Sequence, residues 1–485
     1  MPGGGDSALG VAPREIDFPY YSLKDGFQFT LMLVSDSPEP VDLTIGIRNT
    51  FGQMLLSTNT IQPQQKLAID LASTIAKLGA DPTGAYAEGS VAVYFMGTIM
   101  PVVGQMTVTN PALSLTHQVD MVENDPGRSD IPAVLNGAWW GLGGGKSTKV
   151  MVSNTSDTPQ YADVYLDFQG KRHALKPPLL FKPYETKVLD IAQLIESLGV
   201  DPADATSGGI TIVQVGPHPA LIASGKITDP ATGFSSTIDF PAPDLQLASA
   251  LHATGLPIGN PAKGSPYAGA GYFVPHVVAR NLLATPQAVT ITVEYPATGS
   301  ATASSVAAAS LPPDAADSSA ASSASVAASS GRRFLIVKTG GQSTPLQLDP
   351  VAAQDGKHSP PTGQYALPPF TVAAYSTEDI SLAAEINELS LPLPFCSIRI
   401  QYSGTPGSME ADVSSVESGN NLIVDARAEN EANGWTGSGA NPWHLDKGTD
   451  SVLFLTNMSD KACPIGFEVT AAGVHYYLTD LPHNN

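Results

Sequence analysis

The tract Asp70-Leu-Ala-Ser-Thr-Ile-Ala-Lys-Leu-Gly-Ala-Asp-Pro82 returns as Asp190-Ile-Ala-Gln-Leu-Ile-Glu-Ser-Leu-Gly-Val-Asp-Pro202. Self-similarity at a fixed spacing means that a chain is assembled from copies of one folding unit. Around each tract further positions correspond: Ser35-Asp36-Ser37-Pro38 with Ser156-Asp157-Thr158-Pro159, and Thr109-Asn110-Pro111 with Thr228-Asp229-Pro230. The period of about 120 residues is that of a domain, not of a solenoid repeat. A third copy opens at Tyr272-Phe273-Val274-Pro275, sets Asn281 and Thr285-Pro286 where the second has Asn154 and Thr158-Pro159, and closes over Ser397 to Tyr402. A fourth opens at Trp443, which precedes Asn457-Met-Ser-Asp460 as Trp140 precedes Asn154-Thr-Ser-Asp157, and stops before any equivalent of the Asp70 tract.

Within a copy, short apolar runs alternate with turn residues: Thr148 to Val152, then Asn154 to Pro159, then Ala162 to Phe168 with its alternating faces. Several short strands at this spacing predict an all-β sandwich. The Asn-x-Ser-Asp-x-Pro cluster reads as a turn between two strands, because Asn and Asp side chains fold back on the backbone and Pro fixes φ. The repeated tract is the one helical signal. Leu71, Ile75 and Leu78 share a face, Asp70 is a helix cap and Gly79 a stop, and the same holds from Asp190. The fold class is therefore all-β, tandem β-sandwich modules, each with one short helix crossing an end.

The strand and turn stretch from Thr148 to Phe168 and its copies resembles the immunoglobulin-like or fibronectin-like β-sandwich modules found in tandem in secreted and surface proteins of bacteria. That resemblance covers most of the chain from Ile16 onward and implies an architecture, not an activity. No module carries the cysteine pair and bracketed tryptophan of a true immunoglobulin domain. The divisions expected are a flexible lead over 1–15, modules over 16–127, 128–246 and 247–432, and an incomplete module over 433–485. The third module is interrupted over 297–331 by a stretch of Ala, Ser, Thr and Pro, read as a long mobile insertion or a glycosylated stalk.

Lys and Arg number 24 against 45 Asp and Glu, a formal charge of −21. Such a charge disfavours nucleic acid and anionic membranes as partners. No apolar run is long enough for a spanning helix. Met1-Pro-Gly-Gly-Gly-Asp has neither the basic nor the apolar region of a signal peptide, so an exported protein would have lost its signal from this chain. The two cysteines, Cys396 and Cys463, fall in different copies and either bridge two modules or stay as thiols.

Chemistry-bearing patterns are sparse. Gly141 to Thr148 ends in Gly-Lys-Ser-Thr, yet Trp140 occupies the first glycine of a phosphate loop and a strand follows where a helix is required. The nine histidines are scattered without zinc-site spacing, and there is no nucleophile elbow. Asp81, Asp201 and Asp204 are oxygen donors without the pattern of a calcium loop, and a helix stop followed by Pro explains them. No cofactor, metal or catalytic residue is expected, and the chain is read as not an enzyme.

The aromatic residues carry the remaining pattern. Trp139, Trp140, Trp435 and Trp443 all stand at module entrances, with Tyr20-Tyr21 and Tyr272-Phe273 near the corresponding places. Either they pack across the joint between neighbouring modules, or they form an exposed platform against which a sugar ring or a partner side chain stacks. The expected function is accordingly a non-catalytic structural or adhesive array outside the cell or at its surface. Two alternatives remain: an accessory protein binding a polysaccharide or another surface protein through the entrance aromatics, and a filament subunit that self-associates by strand addition at the incomplete C-terminal module.

Overall fold

The computed structural model describes residues 12–97, 102–241, 247–260, 271–294, 364–382, 395–418 and 423–433, apart from 36, 64, 114, 126–127, 130 and 217, together with the strands 323–329, 332–338, 467–471 and 474–478. The first sandwich contains β1 (Ala12–Ser22), β2 (Gln28–Ser35), β3 (Val41–Asn49), β4 (Met54–Ile61), β5 (Lys66–Asp70), β6 (Glu88–Gly97), β7 (Val102–Asn110) and β8 (Leu115–Asp120), with β9 (Val122–Asp125) and β10 (Arg128–Ser129) beside β1. One sheet runs β10-β9-β1-β6-β3-β4 and the other β5-β2-β7-β8, all antiparallel. Their inner faces, among them Phe18, Leu31, Ile45, Val93 and Val108, close one core.

The second sandwich repeats this order with β11 (Val134–Trp139), β12 (Ser147–Asn154), β13 (Gln160–Phe168), β14 (Lys171–Ala174), β15 (Leu179–Phe181), β16 (Thr186–Asp190), β17 (Gly208–Val215), β18 (Leu221–Asp229) and β19 (Phe234–Ile238). Its sheets are β11-β17-β13-β14, with β15 also on β13, and β16-β12-β18-β19. The third uses β20 (Ala250–Pro257), β21 (Phe273–Asn281), β22 (Gln287–Glu294), then, after a separate hairpin of β23 (Ser323–Ser329) with β24 (Arg332–Lys338), β25 (Gln364–Ala366), β26 (Phe370–Val372), β27 (Thr377–Ser381), β28 (Phe395–Tyr402), β29 (Met409–Glu417), β30 (Ile423–Arg427) and β31 (Glu429–Asn430). Its sheets are β25-β22-β28-β20-β31, with β26 also on β22, and β27-β21-β29-β30. The Ser/Ala-rich stretch read as a mobile insertion thus contains a paired strand, Ser323–Ser329. Of the fourth copy, only the hairpin of β32 (Phe467–Ala471) and β33 (Val474–Leu478) is described.

In the first sandwich the second strand pairs with the fifth and the seventh, and the sixth strand lies between the first and the third. This places the first strand on the outer sheet that meets the next module.

The repeated tract forms α1 (Leu71–Lys77) and α2 (Ile191–Ser197). Asp70 accepts the Ser73 amide at 2.7 Å and Asp190 the Gln193 amide at 3.3 Å, which satisfies an orphan donor of each first turn. Gly79 and Gly199 end the helices at φ +82 and +77. Leu71 and Ile75 are buried, whereas Leu78 is the C-cap and 37% exposed, so the apolar face is one residue shorter than its spacing predicts. The equivalent residues of the third copy, 383–394, lie outside the described residues.

Candidate functional site at the module joints

Strand alternation sends every second side chain of β12 and β21 away from its own core. In the second module Val150 and Val152 point inward while Met151 and Ser153 point out, yet Met151 and Ser153 are as buried as the core. What covers them is the preceding module. Each joint sets the outer face of one module's second sheet against the first strand and the β-hairpin of the module before it.

In the first joint Ser153 Oγ donates to the Pro19 carbonyl at 2.6 Å, and the Thr186 amide reaches the Thr50 carbonyl at 3.3 Å. The Arg48 guanidinium lies 4.7 Å from the centre of the Tyr184 ring. Gly52, in the turn between β3 and β4, has φ +84 and its absent Cβ would stand 2.2 Å from the Pro183 carbonyl, so only glycine permits this approach. Lys226 closes the other side, its ammonium 5.4 Å from the Tyr20 ring and 5.0 Å from Phe27. Burial lowers the pKa of Lys226, with Lys149 adding to the effect. Arg48 is itself fully buried, donating to Asp17 at 2.9 Å, Glu15 at 3.1 Å and the Tyr94 hydroxyl at 2.5 Å. Burial and the neighbouring Asp17 push Glu15 up to about 8 while Arg48 pulls it down.

The second joint repeats these contacts with different chemistry. Arg172 on β14 sits 4.4 Å from the Tyr375 ring, as Arg48 sits on Tyr184. Tyr184 and Tyr375 both hold left-handed backbone, φ 57 and 49, two residues before β16 and β27. A non-glycine residue in this region is uncommon and persists where its surroundings hold it. Gly170, at φ +72 in the β13–β14 turn, lies against Ser376 and Ala374, but a Cβ there would stand at 3.7 and 3.8 Å from them, so this approach is looser than that of Gly52. Ser207 Oγ donates to the Thr377 carbonyl at 3.3 Å.

The buried centre of the second joint is Arg280 of β21, which crosses into the second module. Its Nη1 donates to the carbonyls of Gly137 at 3.1 Å and Ile210 at 2.8 Å, and its Nη2 to Asp167 and Thr211, both at 2.7 Å. Glu410 of its own module accepts from Nη1 at 3.1 Å. The side chains of Arg280 and Asp167 are fully buried and that of Glu410 is 2% exposed. Burial pushes Glu410 up to about 7, with Arg280 working against it. Gly209 leaves the room: a Cβ there would fall 1.9 Å from Arg280 Nε.

Of the entrance tryptophans, Trp139 belongs to the module core, fully buried, with its indole N–H donating to the Ala205 carbonyl at 3.2 Å. Trp140, one residue on, is 5% exposed, stacked on His276 of the third module at 5.7 Å, edge-on to Phe234 at 5.5 Å, and capped by Lys146 at 4.7 Å. Neither ring offers an open face, so no stacking platform exists at these two positions. Trp435 and Trp443 lie outside the described residues. Tyr20, Tyr21 and Phe273 are buried and Tyr272 half-buried.

The other sequence candidates resolve into turns and core. Gly143 and Lys146 bridge a tight turn that opens β12, and Lys146 spends its charge on Trp140 and Phe234. Asp81 accepts the Thr83 amide and Asp201 the Ala203 amide, both as turn caps. Cys396 is a free, buried thiol, pushed up to about 12 by burial, and Cys463 lies outside the described residues. Among the described residues no group of three His, Cys, Asp or Glu is placed to hold a metal ion, and no helix is long and apolar enough to cross a membrane. Comparison with family models, curated proteins and solved structures gives no match.

Arg48, Arg280, Tyr184 and Tyr375 are the residues that sequence reasoning missed. A signal was present: Tyr184 and Tyr375 stand at the same distance before Thr186 and Thr377.

Proposed function

We propose that the chain is a non-catalytic, stiff array of β-sandwich modules that spaces or adheres outside the cell or at its surface. The observation that carries this reading is Arg280, a charged side chain from one module fully buried among the carbonyls and carboxylate of the module before it. A guanidinium taken out of water holds its place only with its hydrogen bonds made, so bending the joint would leave a buried charge unpaired. Inter-domain motion is the ordinary expectation for linked domains, and a joint built this way opposes it. The first joint supports the same reading through Ser153, Tyr184 and the Lys226 cage. Labels in pairs, at Thr58 with Lys176 across the first joint and at Lys176 with Thr371 across the second, test it in the full chain. A narrow distance distribution is expected, and a broad one, as for modules on flexible linkers, would reject the array.

A further inference from the structure

Ladder pairing allows the two joints to be superimposed residue by residue. On the receiving sheet Asp17 faces Ala92 and Arg48 faces Ser90, while Asn136 faces Thr211 and Asp167 faces Gly209. The two central strands are thus used at the same spacing, which makes Asn136 the counterpart of Asp17 and Asp167 the counterpart of Arg48. On the incoming sheet Ser153 and Arg280 each stand one residue before the closing Asn154 or Asn281 of their strand. Ser153 donates to the Pro19 carbonyl and Arg280 to that of Gly137, both on the first strand of the receiving module.

By this correspondence Arg48 and Ser153 occupy in the first joint the positions that Asp167 and Arg280, which are in contact, occupy in the second. Where the receiving residue is a buried cation, the incoming one is small and neutral. Where it is a carboxylate, the incoming one is a guanidinium. We propose that this matched pair fixes module order: the second module's face admits the third because Asp167 binds Arg280, and the first module's face refuses it because Arg48 would meet Arg280 in a water-free joint. Like charges brought together at an interface weaken it and reject the wrong partner. The third module carries Glu294 at this position, facing Ser397, and His252, facing Arg399, already meets it at 2.8 Å. Its outer face thus differs from the other two. The inference concerns the joints alone and stands whatever the array does.

The test moves the second joint's residues into the first, in the full chain. Ser153→Arg is expected to raise amide exchange at Tyr20, Glu185 and Thr186 by roughly tenfold or more, since it sets a second guanidinium against Arg48. Ser153→Gln, long but uncharged, reports the steric part and is expected to raise exchange much less. Adding Arg48→Asp and Asp17→Asn to Ser153→Arg recreates Asn136, Asp167 and Arg280, and is expected to recover most of the protection. Equal effects of Ser153→Arg and Ser153→Gln would overturn the proposal, and so would a combined variant no better protected than Ser153→Arg alone. In the second joint, Asp167→Arg is expected to disrupt more than Asp167→Asn, and the reverse order would also overturn it.

Discussion

The two joints share a scaffold and differ in what fills it. Both have a turn glycine, Gly52 or Gly170, against a left-handed tyrosine turn of the next module, and both lay an arginine on that tyrosine. The first joint keeps its ion pairs inside one module and crosses the boundary with a hydroxyl and with cations laid on rings. The second carries a charge across the boundary and surrounds it with acceptors from both sides. Backbone shape therefore sets where modules touch, while side-chain charge sets which modules can touch. The shared scaffold is the repeat itself; the difference is the part of each copy free to diverge.

The largest effect should come from breaking the second joint. Arg280→Ala leaves Glu410 buried without its cation, while Asp167 keeps its two-pronged pair with Arg172, a loss of about 3–5 kcal/mol for removing one partner of a buried pair. Calorimetry of the full chain is expected to show the third module melting apart from the second, with the first joint undisturbed. Trp140→Ala should follow at about 3 kcal/mol, since it empties the space among Phe234, His276 and Lys146. Loss of the joint with retention of the second module's core is the expected pattern in near-ultraviolet dichroism, because Trp139 keeps its place.

The second joint should also respond to pH through Glu410. In the fold its proton is held up to about 7 by burial, against 4.5 in the unfolded chain. The folded state binds the extra proton between these values, so the contribution is fully present below 4.5 and is lost as pH rises through 7. Unfolding midpoints of the wild type should therefore decline over that window, and Glu410→Gln should flatten the decline.

How much of this was legible in the chain follows from distance along it. Helix caps, strand alternation and the turn after Asn154 are local, and Asp70, Asp190 and the Asn side chain act within a few residues of themselves. Arg280 was not legible, because its partners Gly137, Asp167 and Ile210 belong to another copy of the repeat and nothing in a lone Arg before Asn281 names them. Trp139 and Trp140 show the same limit at the closest range. Adjacent in sequence, both belong to one buried cluster, yet Trp139 is tied to Ala205 of its own module while Trp140 also stacks on His276 of the third. Which sheet each first and last strand joins was hidden for the same reason, since a strand's pattern states that a face is buried and not against which sheet.

The smallest expected effect contrasts the two lysine cages. Lys226 lies over Tyr20 and Phe27, and Lys146 over Trp140 and Phe234. Burial lowers the pKa of both; Asp379 and Asp229 offset it at Lys146, whereas at Lys226 the nearby Lys149 adds to it before Glu88 and Asp25 oppose. Methionine keeps the apolar stem and removes the charge. A partly buried cation–π contact contributes about 0.5–2 kcal/mol, and at Lys226 that gain is spent against desolvation. Lys226→Met is therefore expected to change the melting temperature little or raise it, while Lys146→Met lowers it by up to about 1–2 kcal/mol of equivalent stability. Equal losses at both sites would mean that the first joint depends on charge as the second does, and that the contrast between them lies in the position of the arginines alone.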